Sequence, residues 1–231
     1  MTSLTTLIRQ MVISVIWLGF TLYIVWLAPL DRPETFPIVR HLLTLHWSEV
    51  NGYLVAIFWL MGVLPMIYGC LMFTDGRMQK LPALIYFLAS NFTGIVGLAP
   101  YLVLRDRNTS FRGSLDRWLR SFESRSMGII LSLVTTLLIA YALIQGNWQD
   151  FVQEWRTIPF VHLITLDFCF MNLFLPLSPL LDDDLARRGL QDSYWFWAIA
   201  LLPLFGALAY LCCRPTLQDP ELGLALTPNY Q

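Results

Sequence analysis

The sequence predicts an all-α fold: a polytopic integral membrane bundle of six transmembrane helices, arranged as a three-plus-three inverted repeat. Three observations carry that expectation. The composition is 56% hydrophobic and only 13% charged, with a mean hydropathy of +0.57, whereas soluble domains carry roughly 25% charged residues. Six apolar runs are each long enough to cross a bilayer, for which about 20 residues suffice. The two halves of the chain also resemble each other. In lipid each apolar run must satisfy its own backbone, which a helix does.

The first run, Met11–Leu30, exceeds the roughly 7–15-residue core of a secretory signal, and no small-x-small cleavage site follows it, so it reads as a retained helix. Ile38–Trp47 is too short to cross; with Arg40, His41 and His46 among apolar residues it reads as lying along the membrane surface. Val50–Thr74 and Leu81–Leu104 are the second and third runs. The following loop, Arg105–Arg125, holds six arginines, with Trp118 and Phe122 spaced for one face of a short helix. Such a loop fixes topology, rests on anionic headgroups, or docks a protein partner. Ser126–Gln149, Thr157–Leu181 and Ser193–Cys213 complete the set, and Pro215, Pro220 and Pro228 mark an irregular tail. The expected organisation is therefore a first repeat over 1–125, a second over 126–214, and a tail over 215–231. In a six-span chain, loops one, three and five hold ten Lys and Arg against five on the side of the termini. That excess places both termini away from the cytoplasm.

The duplication rests on matched residues. Gly97, Tyr101, Leu102 and Arg105 recur as Gly206, Tyr210, Leu211 and Arg214 at an offset of 109, and Asp75 falls on Asp184 at the same offset. His46 and Asn51 are five apart, as are His162 and Asp167, at an offset of 116, and a Leu-Pro pair ending at Pro65 has a counterpart ending at Pro176. Three spans per half would make the second copy insert upside down, with the site expected between halves.

Asp167 interrupts the fifth run near its middle. A carboxylate at that depth costs on the order of 2.5–3.5 kcal/mol, so it is expected to face protein and to mark a site. The alternative is that it only ties helices together. If the repeat pairs Asn51 with Asp167, then His46 and His162 are also equivalent. Five residues turn a helix by roughly 140°, so His162 and Asp167 do not share a face. Asn91 in the third run is a candidate donor to Asp167, in a stretch where Ser90, Gly94 and Gly97 permit close helix approach. Pro65, Pro100, Pro176, Pro179 and Pro203 fall inside runs and read as kinks or as openings for a cavity.

Several chemistries lack their parts. A net charge of −1 argues against nucleic acid as partner. Three histidines are too few for a membrane di-iron centre; Cys70, Cys169, Cys212 and Cys213 lack metal-type spacing and read as packed thiols. No phosphate-binding or serine-nucleophile motif is present. Asp182-Asp183-Asp184 could hold a divalent cation, although Arg187 and Arg188 nearby favour a solvated helix end. No metal site or cofactor is assigned.

His162-Leu-Ile-Thr-Leu-Asp167, the acidic loop, Arg187-Arg188-Gly189, Pro203, Gly206 and Tyr210-Leu-Cys-Cys-Arg214 together resemble the last two helices of the neoxanthin-synthesis membrane proteins of chloroplasts and their bacterial relatives. The match covers about a quarter of the chain, with a longer interval between Asp167 and the acidic loop. The overall pattern is also similar to uncharacterised multi-pass membrane proteins of cyanobacteria and plastids. The resemblance implies carotenoid or other isoprenoid-lipid chemistry in a thylakoid or cyanobacterial plasma membrane. Asp167 would then be the acid or base, His162 a relay, and Asn91, with Asn51 and His46 at the paired positions, would line the ligand. Two other classes stay open: a proton-coupled secondary transporter using Asp167, and a non-catalytic assembly factor of a pigment–protein complex.

Overall fold

Long apolar runs become long helices only where nothing in the sequence stops them, and two of the six runs are broken near their middles. The computed structural model describes residues 2–26, 33–111 and 114–217. The end of the first run, Arg112 and the tail beyond residue 217 lie outside the described residues. Among those described are twelve α-helices: α1 (Thr2–Trp26), α2 (Thr35–Leu43), α3 (Gly52–Gly76), α4 (Ala83–Thr93), α5 (Ile95–Leu104), α6 (Arg117–Glu123), α7 (Arg125–Gln145), α8 (Trp148–Thr157), α9 (Pro159–Leu177), α10 (Pro179–Arg187), α11 (Trp195–Leu201) and α12 (Pro203–Cys213). Four of them, α1, α3, α7 and α9, are long and apolar enough to cross a membrane.

The third and sixth runs are not single helices. α4 stops at Gly94, whose φ of +56° is a conformation that side chains with a Cβ resist, and α5 starts at the next residue. α11 stops because Pro203 has no N–H to continue it and forces Leu202 out of the helical region, to φ −129° and ψ 68°. Each pair then folds back on itself. Gln79 and Asp106, on either side of α4 and α5, exchange two hydrogen bonds, Gln79 Nε2 to the Asp106 carbonyl at 2.7 Å and the Asp106 N–H to Gln79 Oε1 at 2.8 Å. Both ends of the pair therefore lie at one end of the molecule. At about 1.5 Å per residue neither α4 nor α5 would span a bilayer alone. Six expected crossings are thus four long helices plus two helical hairpins.

That change reverses the expected symmetry. Each half contains a long helix, an amphipathic helix (α2 or α8), a second long helix, and a hairpin, and a hairpin returns the chain to the end from which it left. Along this path the halves run in the same direction, and the six-crossing, inverted arrangement is not borne out. Equivalent residues at the offset of 109 make equivalent contacts: Tyr86 stacks near Tyr101 with centroids 5.7 Å apart, and Trp195 near Tyr210 at 5.5 Å. A Cβ at Gly97 would come 2.8 Å from that of Ala89, and one at Gly206 would overlap the carbonyl of Ala198. Small residues are required at both hairpin seams.

α3 is the central helix, with 67% of its most apolar window buried, against 11% for α1, whose remaining face is free for lipid. Pro65, Pro100 and Pro176 lie inside helices, while Pro179 and Pro203 open new ones. The break before α10 is capped by Ser178, which accepts from the Leu180 N–H at 3.1 Å. Among the described basic residues only Arg40 and Arg156 sit at the end that carries α2 and α8. The other end has Arg9, Arg77, Lys80, Arg105, Arg107, Arg117, Arg120, Arg125, Arg187, Arg188 and Arg214. The ten-to-five count depended on six crossings and does not hold.

Candidate functional site

Asp167 does reach protein, but not the partner expected. Its Oδ1 accepts from the backbone N–H of Ile95, the first residue of α5, at 2.8 Å. A helix starting in an apolar interior has unpaired N–H groups and a positive dipole end, and α9 supplies the carboxylate that meets them. Gly94 is bound to this arrangement twice, by its positive φ and because a Cβ there would overlap the Asp167 carboxylate. Asn91 instead donates from Nδ2 to the Phe87 carbonyl of its own helix at 2.7 Å. The proposed Asn91–Asp167 contact is corrected: an Asn on a lipid-exposed helix face binds the carbonyl four residues back.

The other expected site residues lie apart. His162 packs against the rings of Trp155 and Tyr23, with centroids 4.5 and 5.8 Å away. His46 is exposed near the α2 end, where Nδ1 lies 2.8 Å from Thr44 Oγ1. Asn51 caps α3, accepting from the Tyr53 N–H at 3.0 Å and donating to the Asn147 carbonyl at 2.8 Å. Asn51 and Asp167 thus have different partners, and at the offset of 109 that relates the two hairpins Phe58 stands opposite Asp167. Cys70 is buried, whereas Cys169 and Cys213 are exposed on the apolar surface.

Sequence reasoning missed a buried ionic network at the arginine-rich end. Four acids, Asp75, Glu123, Asp183 and Asp184, and four guanidiniums, Arg105, Arg187, Arg188 and Arg214, are buried there, so their charges cancel. Arg105 grips Asp75 through Nε at 2.9 Å and Nη2 at 2.6 Å, and reaches Asp183 at 2.6 Å. Arg188 joins Asp184 at 3.0 Å to Glu123 at 2.8 Å. Arg187 sits between the halves, 3.1 Å from Asp75 and 3.6 Å from Asp184. The Tyr101 hydroxyl donates to Asp75 at 2.7 Å, and Tyr210 donates to Asp184 at 2.6 Å. These are the Asp, Tyr and Arg residues that recur at the offset of 109. Repetition of polar residues between apolar runs was the signal that could have found the network.

The three aspartates lie in α10, each against a guanidinium. Asp182 pairs with Arg9, Asp183 with Arg105 and Arg107, and Asp184 with Arg188. No group of three or more acidic, His or Cys side chains among the described residues is placed to hold a metal. Burial pushes the Asp184 carboxyl up, yet Arg188, Arg214 and Arg187 together hold it below the ordinary carboxylate range.

Beneath the tip of the second hairpin lies an apolar cleft of about 580 Å³. Residues 201–205 roof it, and α3, α7 and α9 wall it with Tyr53, Leu60, Ala142, Phe168 and Asn172. Asn172 Nδ2 donates to the Phe168 carbonyl at 2.8 Å, which leaves its buried Oδ1 without a partner. Asp167 does not line this cleft. The chain matches no protein-family description, no curated protein and no solved structure.

Proposed function

We propose that this is an integral membrane protein that holds a long apolar lipid of the isoprenoid class, such as a carotenoid, in the cleft beneath the α11–α12 tip. The cleft carries the reading: its volume falls within the roughly 300–1,000 Å³ of small-molecule sites, and its walls are aliphatic and aromatic with Asn172 as an orienting group. It opens among lipid-facing residues such as Leu143 and Leu173, which are 69% and 44% exposed, so a ligand enters from the bilayer. Asp167 then acts as a positioning residue for the first hairpin, not as an acid in the cleft. A carotenoid ligand goes with a photosynthetic membrane, thylakoid or cyanobacterial plasma membrane. The positive-inside rule sets the arginine-rich end and the start of α1 in the cytoplasm.

Expression in a carotenoid-producing host and purification in mild detergent tests the reading. The expected result is a pigment that co-elutes with the protein and is lost from Leu173→Trp, which fills the cleft mouth. Protein that retains no isoprenoid, or Leu173→Trp that retains it fully, would overturn the proposal.

A second reading is favoured by α5 itself, a discontinuous helix whose N-terminus meets a carboxylate, as in secondary transporters. Proton-driven uptake in vesicles that Asp167→Asn abolishes, with isoprenoid retention unchanged, would select it.

A further inference from the structure

A second groove, about 560 Å³, lies at the arginine-rich end between the end of α3, the start of α4 and α6. Its floor is apolar: Phe73, Ala83, Leu84, Trp118 and Leu119. Leu84 and Trp118 are 51% and 55% exposed, so the floor is open to the surface, and the Trp118 ring lies 5.9 Å from that of Phe73. Its rim is basic. Arg77 lines it directly; Lys80 follows three residues later in the same short loop; Arg117 and Arg120 flank the lining pair Trp118–Leu119. All four are exposed. Among them lies Asp116, which pairs with Arg77 and accepts the Leu119 N–H at 2.9 Å as the cap of α6. The four cations outnumber this acid over an apolar trough at the end of α3. The second half has no counterpart, since the residue at the offset of 109 from Arg77 is Ala186.

We propose that this groove binds one anionic membrane lipid, with an acyl chain along Phe73, Leu84 and Trp118 and the phosphate or sulfate of its headgroup on Arg77, Lys80 and Arg120. An apolar trough alone would accept any lipid, and exposed arginines alone any anion. The combination selects an amphiphile with a negative head, and the exposed indole of Trp118 suits the layer just below the headgroups. The buried network takes no part, because its charges are already balanced internally.

The test is binding of phosphatidylglycerol and of phosphatidylcholine with the same acyl chains to the intact, detergent-solubilised protein, read by native mass spectrometry, with inorganic phosphate as a third arm. Phosphatidylglycerol should be retained in preference to phosphatidylcholine, and millimolar phosphate should not displace it. Each surface cation is worth about fivefold in affinity, so Arg120→Gln and Lys80→Gln should each weaken binding by about that factor while leaving Asp116 and Arg77 paired. Leu84→Trp, which narrows the trough without changing charge, should also weaken it. Equal retention of the two lipids, displacement by phosphate, or undiminished binding in Leu84→Trp would overturn the proposal.

Discussion

The carboxylate of Asp167 on α9 receives the backbone N–H of Ile95, so a residue of the second half holds the tip of the first half's hairpin. Removing a helix cap costs about 0.5–2 kcal/mol. Asp167→Ala should lower stability by that order, and Asp167→Asn by less, because its amide oxygen still accepts. Gly94→Ala should be worse than either, since it adds a strained φ to an overlap with the carboxylate. Thermal unfolding in detergent ranks the three; Asp167→Ala melting like the unsubstituted protein would contradict the capping role.

The two halves make the same polar contact twice, and the pair should respond alike. Tyr101→Phe and Tyr210→Phe each remove one hydrogen bond to a charged group, worth roughly 1.5–3 kcal/mol. Asp75→Ala should cost more, about 3–5 kcal/mol, because Arg105 and Arg187 are then left buried and under-paired. Arg77→Ala, at the half-exposed pair with Asp116, should be close to neutral. Chemical or thermal unfolding of the four variants checks the order.

The network also sets an acid limit. Because Asp184 has a folded-state carboxyl held low by Arg188, Arg214 and Arg187 against the effect of burial, its stabilising share is present above the unfolded value of about 4. It is lost as pH falls through the folded value. The melting temperature should thus stay level, as far as Asp184 sets it, from neutral pH to about pH 4 and fall below. Asp184→Asn should melt lower at pH 7 and show a shallower acid decline; an unchanged decline would exclude Asp184 as its source.

Helix content and the four long spans were legible in the chain because a bilayer imposes a length and a composition that any reader can count. Breaks inside apolar runs were harder. Gly94 and Pro203 were visible, but proline also occurs inside continuous membrane-length helices, as Pro65 and Pro176 do here. What separates the cases is whether tertiary contacts satisfy the freed N–H groups, and the contact at Ile95 comes from 72 residues away. The repeat itself was readable at the offset of 109, while its direction followed from the number of crossings. His46 and Asn51 matched His162 and Asp167 in spacing alone, at an offset of 116 where the hairpins repeat at 109. Asp183 looked solvated because its partner Arg105 sits far away in sequence, at the end of the first hairpin.

Labelling from the two aqueous sides decides the architecture. In a chain without its four native cysteines, Lys80→Cys and Asp106→Cys bracket α4 and α5, and both positions are exposed. If that run crosses the bilayer, they label from opposite sides. The mutual hydrogen bonds of Gln79 and Asp106 require that they label from the same side. Gln153→Cys on α8, beyond α7, should label only from the other. Asp192→Cys and Thr216→Cys should behave as the first pair does, because Trp195 meets Tyr210 across the second hairpin. Opposite-side labelling of Lys80→Cys and Asp106→Cys would restore six crossings and, with them, an inverted second half; same-side labelling fixes the parallel repeat, and with it the meeting of Asp75, Arg187 and Asp184 at one membrane surface.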